Sequence, residues 1–255
     1  VVYGSMTAID RKKKLITVDG NYHVPYDHLI LSTGLQYQYP CPTGADIKTL
    51  PTSKEVPNRP DRFLNMAAPK NLYIVNDYFD AAKLLHTFEK KYLPKEEKII
   101  IYGNCIEAFT CIQALLQLGF AGPRIVFVKP PTIEESIVFN NPEVEGAISE
   151  ALLAAGVITQ VGYLLAQWND CDSQIDYITN ASFTSDSKPM KVECCAFISY
   201  YNRTVDYSAF KAINDACLVF DSRLVIDSNF HTNDASIRGA GTMTKFQRIY
   251  YADQW

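Results

Sequence analysis

Apolar residues change their spacing several times along this chain, and each change marks a boundary between elements. Residues 1–9, 14–18 and 28–33 read as strands, with β-branched side chains around an Asp19-Gly20-Asn21 turn. Over 39–69 the pattern dissolves into Pro, Thr, Asn and charge, a stretch long for a loop inside a compact domain. Strand-like 71–75 follows. Residues 77–92 then carry Leu84, Leu85 and Phe88 at helical spacing, with Asn76 or Asp77 to cap them. Residues 99–102 predict a strand that runs straight into Gly103. The helix behind it lines up Ile106, Phe109, Ile112, Leu115 and Leu116 and closes at Gly119, a natural C′ residue. With a further strand at 124–128 this makes a βαβ unit, which crosses over right-handed in a parallel sheet. Asn141-Pro142-Glu143 gives cap, N1 proline and first-turn acid in order, starting a helix that ends at Gly156. Three strand-like runs, 157–168, 174–181 and 190–198, lie between polar turns and predict an antiparallel meander. Residues 218–226 form the last clear strand before Arg238-Gly239-Ala240-Gly241.

The turn at Gly103 is the first place to look for chemistry. Strand, glycine turn and helix form the layout in which a G-x-G-x-x-G loop presents backbone N–H groups and a helix N-terminus to a pyrophosphate. Here the glycine positions read Gly103, Cys105 and Ala108. Gly103 still permits the tight turn, and alanine is an accepted substitute at the third position. Cys105 instead puts a Cβ and a sulfur where the backbone should come close to the phosphates. The fold signal survives while the phosphate signal fades.

Composition narrows the classes. The 255 residues are 47% hydrophobic and 20% charged, values that allow a buried core and exclude a disordered chain. A net charge of −4 gives no field to recruit nucleic acid or anionic lipid, and the lone basic run, 11–14, fits a solvated hairpin turn. No apolar run approaches the ~18 residues that would span a bilayer, and no charged-then-apolar leader opens the chain. Val1 begins with a strand pattern already under way, so a segment of a longer polypeptide is expected. Cysteines 41, 105, 111, 171, 194, 195 and 217 form an odd set without C-x-x-C, which fits a reducing cytosolic compartment better than a disulfide framework or zinc ribbon. Cys194-Cys195 reads as a buried structural pair, and the scattered histidines give no metal-ligand spacing.

Several motifs, in order, resemble the two-dinucleotide flavoproteins, the pyridine nucleotide-disulfide oxidoreductases. Val24-Pro25-Tyr26-Asp27-His28-Leu29-Ile30-Leu31-Ser32-Thr33-Gly34 is similar to their YD-x-L-hydrophobic-A-T-G strand. Residues 71–89 resemble the strand and helix before the NAD turn, and 143–157 the L-x-x-x-G-V helix beyond it. Leu224-Val225-Ile226-Asp227 through Thr232, then 237–241, resembles the closing VD…T…I-x-A-G-D element. The resemblance implies an α/β, two-dinucleotide-binding Rossmann-like flavoprotein fold, a parallel sheet with helices plus an antiparallel β-meander. Its FAD-type half is incomplete in this chain. Residues 1–69 would be part of the FAD-type domain with a long insertion, 70–199 the NAD-type domain, and 200–255 the return to the FAD-type domain. The implied cofactor positions are Thr33, Gly34, Gly103, Asn104, Cys105, Ala108, Gly241 and Thr242.

Departures from the pattern fall mainly on chemistry. Cys105 replaces the close-approach glycine, and Val128-Lys129-Pro130 stands where an acid would grip the ribose. Lys129 is read as a solvated lysine in preference to a 2′-phosphate ligand. Thr242 takes the place of the aspartate on the flavin's ribityl chain, and Ser199-Tyr200-Tyr201-Asn202-Arg203 lacks the glycine and proline of the G-R-x-P-N turn. The expectation is a fold kept after its catalysis was lost, with no bound cofactor. Residues 26–34, 99–114 and 248–255 further resemble the oxidoreductase-like regions of cilia- and flagella-associated proteins of the calmodulin- and radial-spoke-associated complex. That implies a scaffold in the axoneme with radial-spoke proteins as partners and the 39–69 insertion as a contact, and neither nucleic acid nor membrane. Two alternatives stand: an active FAD- or NAD(P)-dependent oxidoreductase completed by an upstream segment, and a nucleotide sensor using Gly103 and Asn104 without turnover.

Overall fold

The structure is a computed structural model that describes residues 1–40, 42, 68–131, 138–139, 141–171, 175–201 and 203–247. Most of the 39–69 insertion and all of 248–255 lie outside the described residues. The chain forms two compact units: Val1–Gln36 with Arg203–Trp255, and Tyr37–Asn202.

The first unit opens with an antiparallel meander of β1 (Met6–Asp10), β2 (Leu15–Val18) and β3 (Tyr22–Pro25). The first strand starts five residues later than its apolar pattern predicts. Gly4 turns the chain at φ +153°, and the Asp19 carboxylate accepts from Ser5 N–H at 2.8 Å. The strand at Tyr22–Pro25 was hidden by its proline and histidine. β4 (Leu29–Leu31) follows, with Leu29 and Leu31 buried and Ile30 exposed, and at β5 (Gln36–Tyr37) the chain passes into the second unit.

The second unit is three layers. Its middle is a five-stranded parallel sheet, ordered β6 (Leu72–Ile74), β13 (Ala196–Tyr200), β7 (Ile99–Gly103), β8 (Ile125–Lys129), β9 (Ile158–Val161). One face carries α1 (Tyr78–Thr87), a π-helical turn at Phe88–Tyr92, α2 (Ile106–Gln117) and α3 (Pro142–Ala154). The other carries an antiparallel meander of β10 (Leu164–Trp168), β11 (Asn180–Thr184) and β12 (Met190–Glu193). Period-2 alternation explains the sandwich: Ile99 and Ile101 pack under the helices, while Ile100 and Tyr102 pack under the meander. Each such fully buried side chain contributes roughly 1.5–3 kcal/mol relative to exposure.

Two expected strands divide. Residues 157–168 break at Gly162 (φ +81°), so β9 completes the parallel sheet and β10 starts the meander. Residues 190–198 split likewise into β12 and β13, and β13 enters the sheet between β6 and β7. The second of the three runs sits further along than 174–181, at β11. Helix ends match their chemistry. Asp77 accepts from Asp80 N–H, and Asn141 from Glu143 and Val144 N–H with Pro142 behind it. Gly119 follows the last turn of α2 at φ +102°. Arg124 donates to the carbonyls of Tyr92, Leu93 and Glu97, satisfying the end of the π turn. Asn71, almost fully buried, ties the layers: its Nδ2 donates to the Ile178 and Cys195 carbonyls, and its Oδ1 accepts from Ile178 N–H.

The first unit is completed by β14 (Arg203–Thr204), α4 (Tyr207–Asp215), β15 (Phe220–Asp221), β16 (Arg223–Ile226), β17 (Ile237–Gly239) and β18 (Thr244–Phe246). The 218–226 strand folds back on itself at Ser222 (φ +56°). β17 pairs parallel with β4 in the register Ile237↔Leu29, Gly239↔Leu31. The A-T-G-like and A-G-like strands are thus neighbours. Helix α4 had no counterpart in the sequence reading; it buries Ala209, Ala212 and Ile213 in a core with Ile9, Leu31, Leu224, Ile237 and Met243. Among the described residues no helix is long and apolar enough to cross a membrane.

Candidate functional site

In open parallel sheets a ligand sits beyond the carboxyl ends of the strands, where the strand order reverses. That point here lies between β7 and β13, whose ends pair as Gly103↔Tyr200. Gly103 holds φ +151°, and a Cβ added there would stand 2.8 Å from both the Cβ and the carbonyl oxygen of Tyr200. The neighbouring strand alone therefore demands this glycine. Its survival says nothing about a phosphate.

Cys105 is the N-cap residue of α2, in extended geometry. Its thiol donates toward the Tyr200 carbonyl at 3.9 Å. The Tyr37 hydroxyl lies 3.1 Å from both Cys105 Sγ and Glu107 Oε2 and donates its one proton across the pair. Tyr37 is held at its other end too: its N–H donates to Asn76 Oδ1 at 2.6 Å, and Asn76 Nδ2 donates to its carbonyl at 3.1 Å. The Tyr37 and Tyr200 rings meet edge to face at 5.3 Å, and both residues are buried. Burial pushes the Cys105 thiol above its ordinary range and Glu107 adds to the rise, while the Tyr37 hydroxyl and the Ala108 N–H pull against it. Tyr200 is raised also, first by burial and then by Cys111 beside it. Ala108 is fully buried, and Asn104 leaves Oδ1 buried without a hydrogen-bond partner.

These residues do not fit a dinucleotide. The positive end of α2 already faces an acid, Glu107, in its first turn, so a diphosphate would meet a carboxylate there. At the end of β8 the ammonium of Lys129 lies over the Phe109 and Phe127 rings, at 5.0 and 5.3 Å from their centroids. Burial lowers the Lys129 pKa and Glu145 on α3 opposes the drop. The solvated-lysine expectation is thus corrected: Lys129 is half-buried because two aromatic faces take up its stem and charge.

The other expected positions gather in the first unit. Thr33 Oγ1 donates to Met243 Sδ at 3.2 Å, and Gly34 (φ +69°) and Gly241 (φ +79°) make their turns beside it. A Cβ on Gly34 would stand 3.7 Å from Thr242 Oγ1. Thr242 offers its carbonyl to the Arg223 guanidinium. A neutral hydroxyl here cannot supply the charged acceptor that a ribityl chain would meet in an aspartate. Cys194 and Cys195 face opposite sides of the sheet, Cys194 in the meander core and Cys195 against the helix layer.

Tyr37, Asn76, Glu107 and Tyr200 were not among the sequence candidates. Glu107 carried a faint signal as a first-turn acid where a phosphate helix should leave room for an anion. Tyr37 carried none, because it lies in a polar stretch and meets its partners only through the fold.

No family model matches the chain. Among solved structures it is similar to a ferredoxin reductase from Rhodopseudomonas palustris, at 14% identity and TM-score 0.66, over 96% of this chain and 51% of that one. It is similar to a chain of the covalent putidaredoxin reductase–putidaredoxin complex at 15% and 0.65, over 96% and 51%. The NAD-dependent persulfide reductase from A. fulgidus aligns at 15% and 0.62, over 94% and 38%. The chain spans about half the length of these structures or less. The likeness shows the fold: α/β, with the parallel sheet and antiparallel strands of flavoprotein reductase-like Rossmann proteins.

Proposed function

We propose that this chain is a non-catalytic docking block, a flavoprotein reductase-like fold that serves as a scaffold without turning over FAD or NAD(P). The observation that carries the reading is Cys105, seated where a phosphate-binding turn needs glycine and bonded there to Tyr37. Lys129 over its two rings and Thr242 in place of an acid support it. The resemblance of residues 26–34 and 99–114 to axonemal proteins supports a place in a radial-spoke-associated complex of cilia and flagella, with other spoke proteins as partners. Purified full-length protein is expected to show no yellow flavin absorbance and no NADH oxidation, and to co-purify with radial-spoke proteins from axonemes. Flavin bands that bleach on adding NADH would reverse the reading. The reductase names of the proteins of similar fold favour that second reading, an oxidoreductase completed by further sequence, and the same spectrum decides between the two.

A further inference from the structure

We infer that Tyr37 is a built-in plug, holding the crevice at the ends of β7 and β13 shut against adenine nucleotides with this chain's own phenol. The inference deepens the non-catalytic reading and rests on it. Tyrosine is a residue of intermediate burial, yet Tyr37, on a two-residue strand, is only 3% exposed. Its backbone is fixed by the reciprocal pair of bonds with Asn76, just before α1. Its ring is fixed by the edge of Tyr200, at the end of β13. Its hydroxyl is fixed by Cys105 and Glu107, in the first turn of α2. Three elements that would otherwise frame a ligand at the switch point all hold the same residue, the one before α1 by its backbone and the other two by its side chain. A buried tyrosine hydroxyl ordinarily finds some partner, so what matters is which partners this one has. Here the hydroxyl meets the thiol and carboxylate that stand in the way of a phosphate.

The test reads the plug twice. Iodoacetamide labelling of the folded protein is followed by peptide mass spectrometry, with exposed Cys217 as the reactive control and buried Cys111 and Cys194 as the folding control. Tyr37→Ala is expected to raise the rate of Cys105 alkylation by about tenfold or more while Cys111 and Cys194 stay protected. Tyr37→Phe, which keeps the ring, is expected to stay within about twofold of the parent. Calorimetry with ADP is expected to give no heat with the parent and saturable heat with the Tyr37→Ala/Cys105→Gly double variant. Equal Cys105 labelling in the parent and in a folded Tyr37→Ala protein would overturn the inference, as would a folded double variant that gives no heat with ADP. Either result leaves the docking reading standing, since that reading falls only to flavin bleaching by the unmutated protein.

Discussion

A buried thiol is an acid whose charged form has nowhere to be solvated. Burial raises Cys111 to about 11, against a hydrogen bond from Tyr200, and Cys194 to about 12. Both are therefore neutral in the folded protein. Their folded values lie above the unfolded thiol value of about 8.5. The stability tied to keeping them neutral is full below that value and is lost as pH rises from there through the folded values. With a chromogenic disulfide near neutral pH, Cys217 is expected to react quickly, and Cys111 and Cys194 only at the rate of unfolding. Above about pH 9, chemical denaturation midpoints should fall. Rapid reaction of Cys194 at neutral pH in a folded protein would contradict the buried assignment. The expectation of a buried pair at Cys194-Cys195 holds for Cys194 and not for Cys195, which is half-buried, because both lie in the link between β12 and β13 and not in one strand.

Helices were legible where a cap stood beside a clear apolar stripe. Asp77, Asn141, Gly119 and Gly156 all mark ends that the chain keeps. Helix α4 was missed because its buried face is Ala209, Ala212 and Ile213, two small residues and one branched one, between polar neighbours. Its cap was nevertheless written in the sequence: the Asp206 carboxylate accepts from Ser208 N–H at 2.9 Å and Ala209 N–H at 3.2 Å. Asp206→Ala is expected to cost about 1 kcal/mol in urea denaturation, and Asp206→Asn much less, since the amide oxygen can still accept. Equal losses for both would mean that the carboxylate's charge, and not its capping bond, supports α4. Strand boundaries fared worse than helices for a related reason. Runs 157–168 and 190–198 each hold two strands, and a continuous apolar pattern cannot say which sheet each half joins.

At the scale of the molecule, the first unit is assembled from two stretches of chain with the second unit's whole sequence between them. The motifs implied this return in the sequence, because the strands that became β4 and β17 were already recognised as one fold's elements. The fastening between the stretches was not legible, since Arg11 belonged to a basic run that looked merely solvated. Arg11 Nε instead binds Asp234 at 2.8 Å across 223 residues, and its Nη1 donates to the Ala216 carbonyl behind α4. Burial pushes the Asp234 carboxyl upward, but Arg11 and the Ser236 hydroxyl and N–H outweigh it and leave the group below the usual carboxylate range. A depressed folded value means that the contribution is complete above the unfolded aspartate value, about 3.9, and disappears as pH falls through the folded one. Asp234→Asn is therefore expected to lower stability by about 1 kcal/mol at neutral pH, a modest figure because the pair is partly solvated. The gap between variant and parent should close below about pH 4, where the parent loses the same charge. A gap that stays constant from neutral to acid pH would mean that packing around residue 234, and not its charge, joins the two stretches.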